Sequence, residues 1–236
     1  MNRTPNHTPD RAPCRALILD FGGVISRTLF ETHALTEAAL GLPAGSLTWA
    51  GPFAPETDPL WREMQAGQIS ERAYWARRTA DVAALSGNTW SQMSDFVRAA
   101  RGADPDAIIR PEFRAAIARV RAAGLKLAIL SNELDLFYGE DFRDRLAFLA
   151  NFDVIVDATH TGILKPDPRA YQTCLDQLDL PAAACVFVDD QHRNVAGARA
   201  IGLETVHFDV ANPAAGYARA LHLLGLTPAP SEELTP

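Results

Sequence analysis

Apolar residues gather along the chain in five short runs that are rich in leucine or β-branched residues. They are Ala16–Asp20 (ALILD), Lys126–Ser131 (KLAILS), Asp153–Asp157 (DVIVD), Cys185–Asp190 (CVFVDD) and Glu204–Phe208 (ETVHF), each bounded by turn or helix signals. Runs this short, with little polar alternation, predict strands buried on both faces. Between the later runs the apolar residues recur at helical spacing. Pro111–Ala123 carries Phe113, Ile117 and Val120 on one face and stops at Gly124, a C-terminal cap; Pro168–Leu178 groups Tyr171, Cys174, Leu175 and Leu178. Asn194–Ile201 ends at Gly202, and Pro213–Leu224 aligns Tyr217, Leu221 and Leu224. Strand–helix–strand alternation predicts an α/β protein with a doubly wound parallel sheet.

Residues 29–107 break this rhythm. They hold no β-rich run and four helical stretches: Glu31–Leu40, Asp58–Gln65, Ser70–Ala84 and Trp90–Ala100, with Ser70 placed as an N-cap. An ordinary strand-to-helix connection needs about 2–6 loop residues, so this stretch reads as an inserted all-helical cap over one edge of the sheet. The expected organisation is a core of residues 15–28 and 108–225, a cap of 29–107, and polar, Pro-rich tails at 1–14 and 226–236.

Composition narrows the function classes. With 47% hydrophobic and 22% charged residues the chain is globular, neither disordered nor fibrous. No apolar run approaches the ~18–20 residues of a membrane span. A net charge of −7 argues against a nucleic-acid partner. Cys14, Cys174 and Cys185 are too few and too scattered for a disulfide framework or zinc cluster, and the polar N-terminus has no apolar segment of a secretory signal. Both point to the cytoplasm; a homodimer is left open.

Ligands bind at the carboxyl ends of the strands of such sheets. The first predicted strand ends in Asp20, followed by Phe21-Gly22-Gly23; the second ends in Ser131-Asn132; the fourth ends in Asp189-Asp190; and Lys165 precedes a helix between the third and fourth. Each alone is an ordinary turn or cap residue. Together they place acids, a hydroxyl–amide pair and a lysine at one edge. Lys126 and Lys165 are the only lysines among the 22 basic residues, the rest being arginine. Asp20 and Asp190 could share Mg²⁺, a hard cation that binds through one or two carboxylates plus substrate phosphate. Asp20 could also act as a nucleophile, with Lys165, Ser131 and Asn132 holding phosphoryl oxygens.

From Ala16 to about Leu224 the chain resembles the haloacid dehalogenase (HAD) superfamily, whose four motifs appear in order as LILDFGGVI, LAILSN, ILKPDPRAY and VFVDDQHRNVAGARAIG. The insertion after the first strand matches that family's helical C1 cap. The resemblance implies Asp20 as nucleophile, Ser131 and Lys165 as phosphate-binding residues, and Mg²⁺ held by Asp20, the Gly22 carbonyl and Asp190, with Asp189 and Asn194 supporting. Phosphatases of the family usually carry a second Asp, the general acid, two residues after the nucleophile; here Gly22 stands there. General acid–base assistance is worth ~10²–10⁴ in rate.

Three readings remain open. The chain is a Mg²⁺-dependent phosphatase of a small phosphate monoester whose leaving group needs little protonation, resembling a D-x-G-G branch that includes sugar-1-phosphate phosphatases. A substitute acid would then come from Glu133, His192, His160 or His33. Alternatively it is a dehalogenase, since expelled halide needs no proton. Or it is a silent relative that binds a phosphorylated ligand or a protein. Phospho-accepting receiver domains fit less well, because their acid pair lies near the first strand. In the cap, Trp61, Tyr74 and Trp75 are expected in the core, and Arg77-Arg78 on a solvated face.

Overall fold

The computed structural model describes residues 13–101 and 104–226. Of the expected tails at 1–14 and 226–236, residues 1–12 and 227–236 lie outside them. The described part of the N-terminal tail is already core: Cys14 is buried, and Arg15 N donates to the Ala184 carbonyl at 2.7 Å. In chain order the main elements are β1 (Ala16–Leu19), α1 (His33–Leu40), α2 (Pro59–Gln65), α3 (Glu71–Ser86), α4 (Met93–Arg101), α5 (Pro111–Ala122) and β2 (Lys126–Ser131). They continue with α6 (Leu134–Tyr138), β3 (Val154–Asp157), α7 (Ala158–Thr161), α8 (Pro168–Leu178), β4 (Cys185–Asp189), α9 (His192–Ala200), β5 (Glu204–His207) and α10 (Pro213–Leu223).

The five strands form one parallel sheet in the order β3-β2-β1-β4-β5. Side chains alternate across it. Leu17, Leu19, Leu127, Ile129, Val186 and Val188 face α5 and α10, packing on Phe113, Ile117, Val120, Tyr217 and Leu221. Ala16, Ile18, Ala128, Leu130 and Phe187 face the other way, onto Tyr171, Cys174, Leu175 and Leu178 of α8. Because both faces are covered, the interior strand positions are apolar, and this produces the unalternating runs of the sequence. All three cysteines are buried, and none is in a disulfide.

The ladders of β1 and β4 end at Leu19 and Asp189, one residue short of the expected Asp20 and Asp190, so these two acids stand at or just past the sheet edge. Sequence patterning did not anticipate residues 132–152. They form α6 and the 3₁₀ turns Glu140–Arg145 and Ala147–Asn151, which send Leu134, Phe142, Leu146, Phe148 and Leu149 into the core. Turns this short do not sustain a 3.6-residue period.

The helical insert leaves and re-enters the core through two strands of chain lying side by side. Arg27 N donates to the Ile108 carbonyl at 2.8 Å, and Arg110 N to that of Ile25 at 3.0 Å, around an antiparallel Ser26–Ile109 bridge. The buried Arg110 guanidinium fastens the junction, reaching the Gly23 carbonyl at 3.0 Å and Glu31 Oε2 at 2.7 Å. The insert has its own core, formed by Leu29, Trp49, Trp61, Met64, Tyr74, Trp75, Phe96 and Val97.

At the centre of that core is an ion pair that the sequence pattern places on the surface. Arg77 is indeed exposed, but Arg78 turns inward and donates to Asp58 Oδ1 at 2.6 Å, its guanidinium lying over the rings of Trp49 and Tyr74. Asp58, fully buried, also caps α2 by accepting from Trp61 N at 2.9 Å, and accepts from Tyr74 Oη at 2.8 Å. One carboxylate thus starts α2 and joins it to α3. No helix among the described residues is long and apolar enough to cross a membrane.

Removing one partner of a buried pair strands the other. Asp58→Ala is expected to destabilise the protein by about 3–5 kcal/mol in urea unfolding, whereas Arg77→Ala shifts it by under about 0.5 kcal/mol.

Candidate active site

The chain leaves β1 at Asp20, whose N–H still donates to the Val188 carbonyl of the neighbouring strand at 2.9 Å. It then makes one wide turn, closed by Ser26 N on the Phe21 carbonyl at 3.0 Å. The two glycines in this turn have different reasons to be there. Gly23 has φ of 77°, and a Cβ at this position would lie 2.7 Å from Asp190 Oδ2. Gly22 has ordinary angles, φ −68° and ψ 130°, and a Cβ there would meet nothing within 4 Å. Glycine is a structural requirement at 23 and a free choice at 22.

Lys165 reaches this turn from the loop between α7 and α8. Its backbone is held by the Asn132 side chain in both directions, Lys165 N donating to Oδ1 at 2.7 Å and Asn132 Nδ2 donating to the Lys165 carbonyl at 3.2 Å. Gly197 of α9 lets that helix press on the same loop, since a Cβ there would fall 2.8 Å from Pro166 Cβ. So fixed, the Lys165 ammonium lies 2.8 Å from Asp20 Oδ1 and 2.7 Å from Asp189 Oδ2, with 1% of its side chain exposed. Asp189, wholly buried, also accepts from Gln191 N at 2.8 Å and from Asn194 Nδ2 at 3.1 Å.

Carboxylate oxygens of Asp20, Asp189 and Asp190 lie within 4.8 Å of one another. Burial raises the Asp20 and Asp190 carboxyls above their usual range, and the neighbouring acids add to the rise; Lys165 opposes it. Burial alone would lower the Lys165 ammonium, but Asp189 and Asp20 outweigh it and hold the group above its usual range. Like charges about 4 Å apart repel by ~4 kcal/mol at an effective dielectric of 20, and one ammonium cannot neutralise three carboxylates. The arrangement is short of positive charge, and its free donors are hard oxygens. That donor chemistry fits Mg²⁺.

A second acidic group, Asp135, Asp157 and His160, lacks this character. Arg143 binds Asp135 at 2.8 Å and Asp157 at 2.9 Å, and backbone N–H groups of Leu134, Asp135 and Thr159 point at Asp157. These donors outweigh burial and lower the Asp157 carboxyl, so its charge is already balanced.

Above the acids lies a cavity of about 820 Å³, including its open mouth, between the sheet edge and the cap. Asp20, Gly22, Ser131, Asn132, Lys165, Asp190 and Asn194 line it, while Asp189 lies behind Lys165. Of the four substitute acids expected from sequence, Glu133 alone lines the cavity. His192 is exposed, its ring edge-on to His207 at 5.7 Å. His160 is exposed on Asp135, and His33 packs against Trp49 in the cap core. His192 and His160 face away because they lie on the outer surfaces of their elements, and His33 because it turns into the cap core.

Sequence reasoning overlooked the contacts that join the cap to the core beside the cavity. Arg72 of α3 donates to Glu133 Oε1 from Nε at 2.7 Å and Nη2 at 2.6 Å, and Arg193 of α9 meets Glu71 at 2.9 Å. Gln65 Nε2 donates to Gln191 Oε1 at 3.3 Å. Burial raises both the Glu133 and Glu71 carboxyls, with Arg72 and Arg193 opposing. Position after the Ser70 cap marks Glu71 and Arg72 as first-turn residues, but it does not say what that turn faces.

A family model for haloacid dehalogenase-like hydrolases matches residues 14–202. The chain belongs to this family. Acyl-CoA dehydrogenase family member 10 of Mus musculus is 30% identical to this haloacid dehalogenase-like hydrolase over 202 residues, 83% of the chain and 18% of that protein. Phosphatase MT3486 of Mycobacterium tuberculosis (strain CDC 1551 / Oshkosh) is 33% identical over 99 residues, 42% of the chain and 46% of that protein. The chain therefore spans less than half the length of either. (S)-2-haloacid dehalogenase 1 of Pseudomonas sp. (strain CBS-3) is 27% identical over 183 residues, 72% of the chain and 78% of that protein. Among solved structures, a mutant CbbY from Rhodobacter sphaeroides with xylulose-(1,5)bisphosphate shares the fold at 22% identity and a TM-score of 0.52, covering 81% of the chain and 84% of that one. The relatives of this hydrolase thus include both phosphatases and dehalogenases.

The contrast between the two glycines is testable. Gly23→Ala is expected to cost at least ~1–2 kcal/mol in unfolding experiments from its left-handed backbone alone, and more from displacing Asp190. Gly22→Ala stays within about 0.5 kcal/mol of the parent.

Proposed function

We propose that this hydrolase is a Mg²⁺-dependent phosphatase of a small phosphate monoester, working through an aspartyl-phosphate on Asp20. The observation that carries the reading is the buried Lys165 ammonium shared by Asp20 and Asp189, with Asp190 crowding the same point. A dianionic phosphoryl group with its cation suits such a cluster. Asp20 Oδ1 accepts from Lys165, which leaves Oδ2 as the attacking atom.

In this scheme Asp20 attacks phosphorus while the bond to the leaving oxygen breaks, and the leaving group departs with that electron pair. Lys165 and the Ser131 hydroxyl stabilise the phosphoryl oxygens as their charge shifts. Water then attacks phosphorus, releasing inorganic phosphate and a proton and regenerating the Asp20 carboxylate. Asp20, Asp190 and the Gly22 carbonyl would hold Mg²⁺, whose chemistry here is neutralisation of carboxylate and phosphoryl charge. Asp189 and Asn194 work behind them by fixing Lys165.

The dehalogenase reading is favoured by one feature: a departing halide needs no proton, so the open space at Gly22 would be no handicap. Against it, a carboxylate substrate brings a further anion to a site already short of positive charge.

The two readings separate on product and metal. Phosphate release with Mg²⁺, abolished by EDTA and by Asp20→Asn, is the expected result; metal-independent halide release from 2-haloacids would replace it with the other. Gly22→Asp, for which the turn has room, is expected to speed hydrolysis of alkyl phosphates with poor leaving groups, up to ~10²-fold, in steady-state assays of phosphate release.

A further inference from the structure

The floor of the cavity is charged, but its roof is not. Phe30, Trp61 and Trp75 from the cap side meet Phe137 and Tyr138 of α6 there. Ring centroids run from Trp61 to Phe30 at 5.2 Å, Phe30 to Trp75 at 5.4 Å, and Trp75 to Phe137 at 5.8 Å. The first and last of these contacts are edge-to-face. The Tyr138 hydroxyl is engaged by Ser26 Oγ at 3.0 Å, and its ring, stacked on Phe142 at 4.3 Å, is braced at the side of the cavity.

Several polar groups of the wall are already engaged within the protein. Glu133 is bound by Arg72, Glu71 by Arg193, Gln191 by Gln65 and Thr28 by Glu31. Arg101 donates to Thr32 Oγ1 at 2.7 Å and to the Arg27 carbonyl at 3.0 Å. A sugar brings several hydroxyls that each need a partner on burial, and groups already paired within the protein compete for them poorly. A flat apolar ring needs none. Residue 22 also carries no acid to protonate the leaving oxygen, which favours a group that departs as a stabilised anion. Sugar 1-phosphates and acyl phosphates meet the second condition only; phenols meet both.

Building on the phosphatase reading above, we propose that the substrate is an aryl phosphate, its phosphoryl group on Asp20 and Lys165 and its ring in the aromatic roof. The P–O bond breaks with its electron pair on the phenolate oxygen, which takes its proton from solvent. Phe137 and Trp75 are the specificity-determining side chains.

The test compares kcat/KM with Mg²⁺ for 1-naphthyl phosphate, glucose 1-phosphate and acetyl phosphate, together with a series of substituted phenyl phosphates. The expected result is at least roughly tenfold preference for naphthyl over glucose 1-phosphate, and a phenyl series that falls steeply as the phenol becomes more basic. Phe137→Ala lowers the naphthyl-to-acetyl ratio by roughly tenfold; Trp75→Leu does the same, and thermal unfolding of both variants reports whether the cap still folds. Preference for glucose 1-phosphate, or an unmoved ratio in a folded Phe137 variant, overturns the proposal while leaving the phosphatase reading intact. A flat phenyl series overturns it too, because a wall carboxyl would then be protonating the leaving oxygen. No phosphate release from any substrate, acetyl phosphate included, removes both.

Discussion

The Lys165 ammonium is almost completely removed from water, and its charge is tolerable there only because carboxylates from two different strands flank it. A buried cation of this kind is strongly destabilising without its partners, so the two acids and the lysine must arrive together. That requirement passes outward through the structure. It fixes the ends of β1 and β4 relative to each other, it requires the Asn132 side chain to hold the loop that carries Lys165, and it requires glycine at 197 so that α9 can lie close. The site is a condition of the core's stability as well as an occupant of its edge.

The cluster is also incomplete by its own electrostatics. Lys165 balances one of the carboxylate charges around it, leaving Asp20 and Asp190 facing each other in a poorly solvated turn. Their raised carboxyls express that frustration. A dication between the carboxylates would relieve it and would make room for an anionic group beside it, so the proposed affinities for metal and for phosphoryl group would be tied to one another. Glycine at 23 is part of the same economy, since any side chain there would push Asp190 out of the cluster.

Much of this was legible in the sequence. Strands buried on both faces betray themselves as short apolar runs, and the rule that ligands gather at strand carboxyl ends was enough to bring Asp20, Ser131, Asn132, Lys165 and Asp190 to one edge. The cap was legible as an insert, but its faces were not. Helices α2, α3 and α4 divide their surfaces between the cap core and the cavity, and periodicity cannot tell these apart. Trp61 and Trp75 belong to both. Arg78 looked like a solvated charge beside Arg77, and only the position of Asp58, twenty residues earlier, makes it a core residue. Phe137 and Tyr138 had a visible clue: they follow Ser131 by six and seven residues, and so could not stray far from the sheet edge.

The paired strands of chain at Ser26 and Ile109 carry a wider implication. Because the insert enters and exits at neighbouring points, tied by two backbone hydrogen bonds, the parallel sheet closes on itself whatever lies between them. Such a doorway makes the helical segment an exchangeable cassette: its length and wall chemistry can drift, or be swapped wholesale, with little consequence for the reacting groups below. Catalytic apparatus and substrate taste can therefore evolve on separate schedules within one polypeptide.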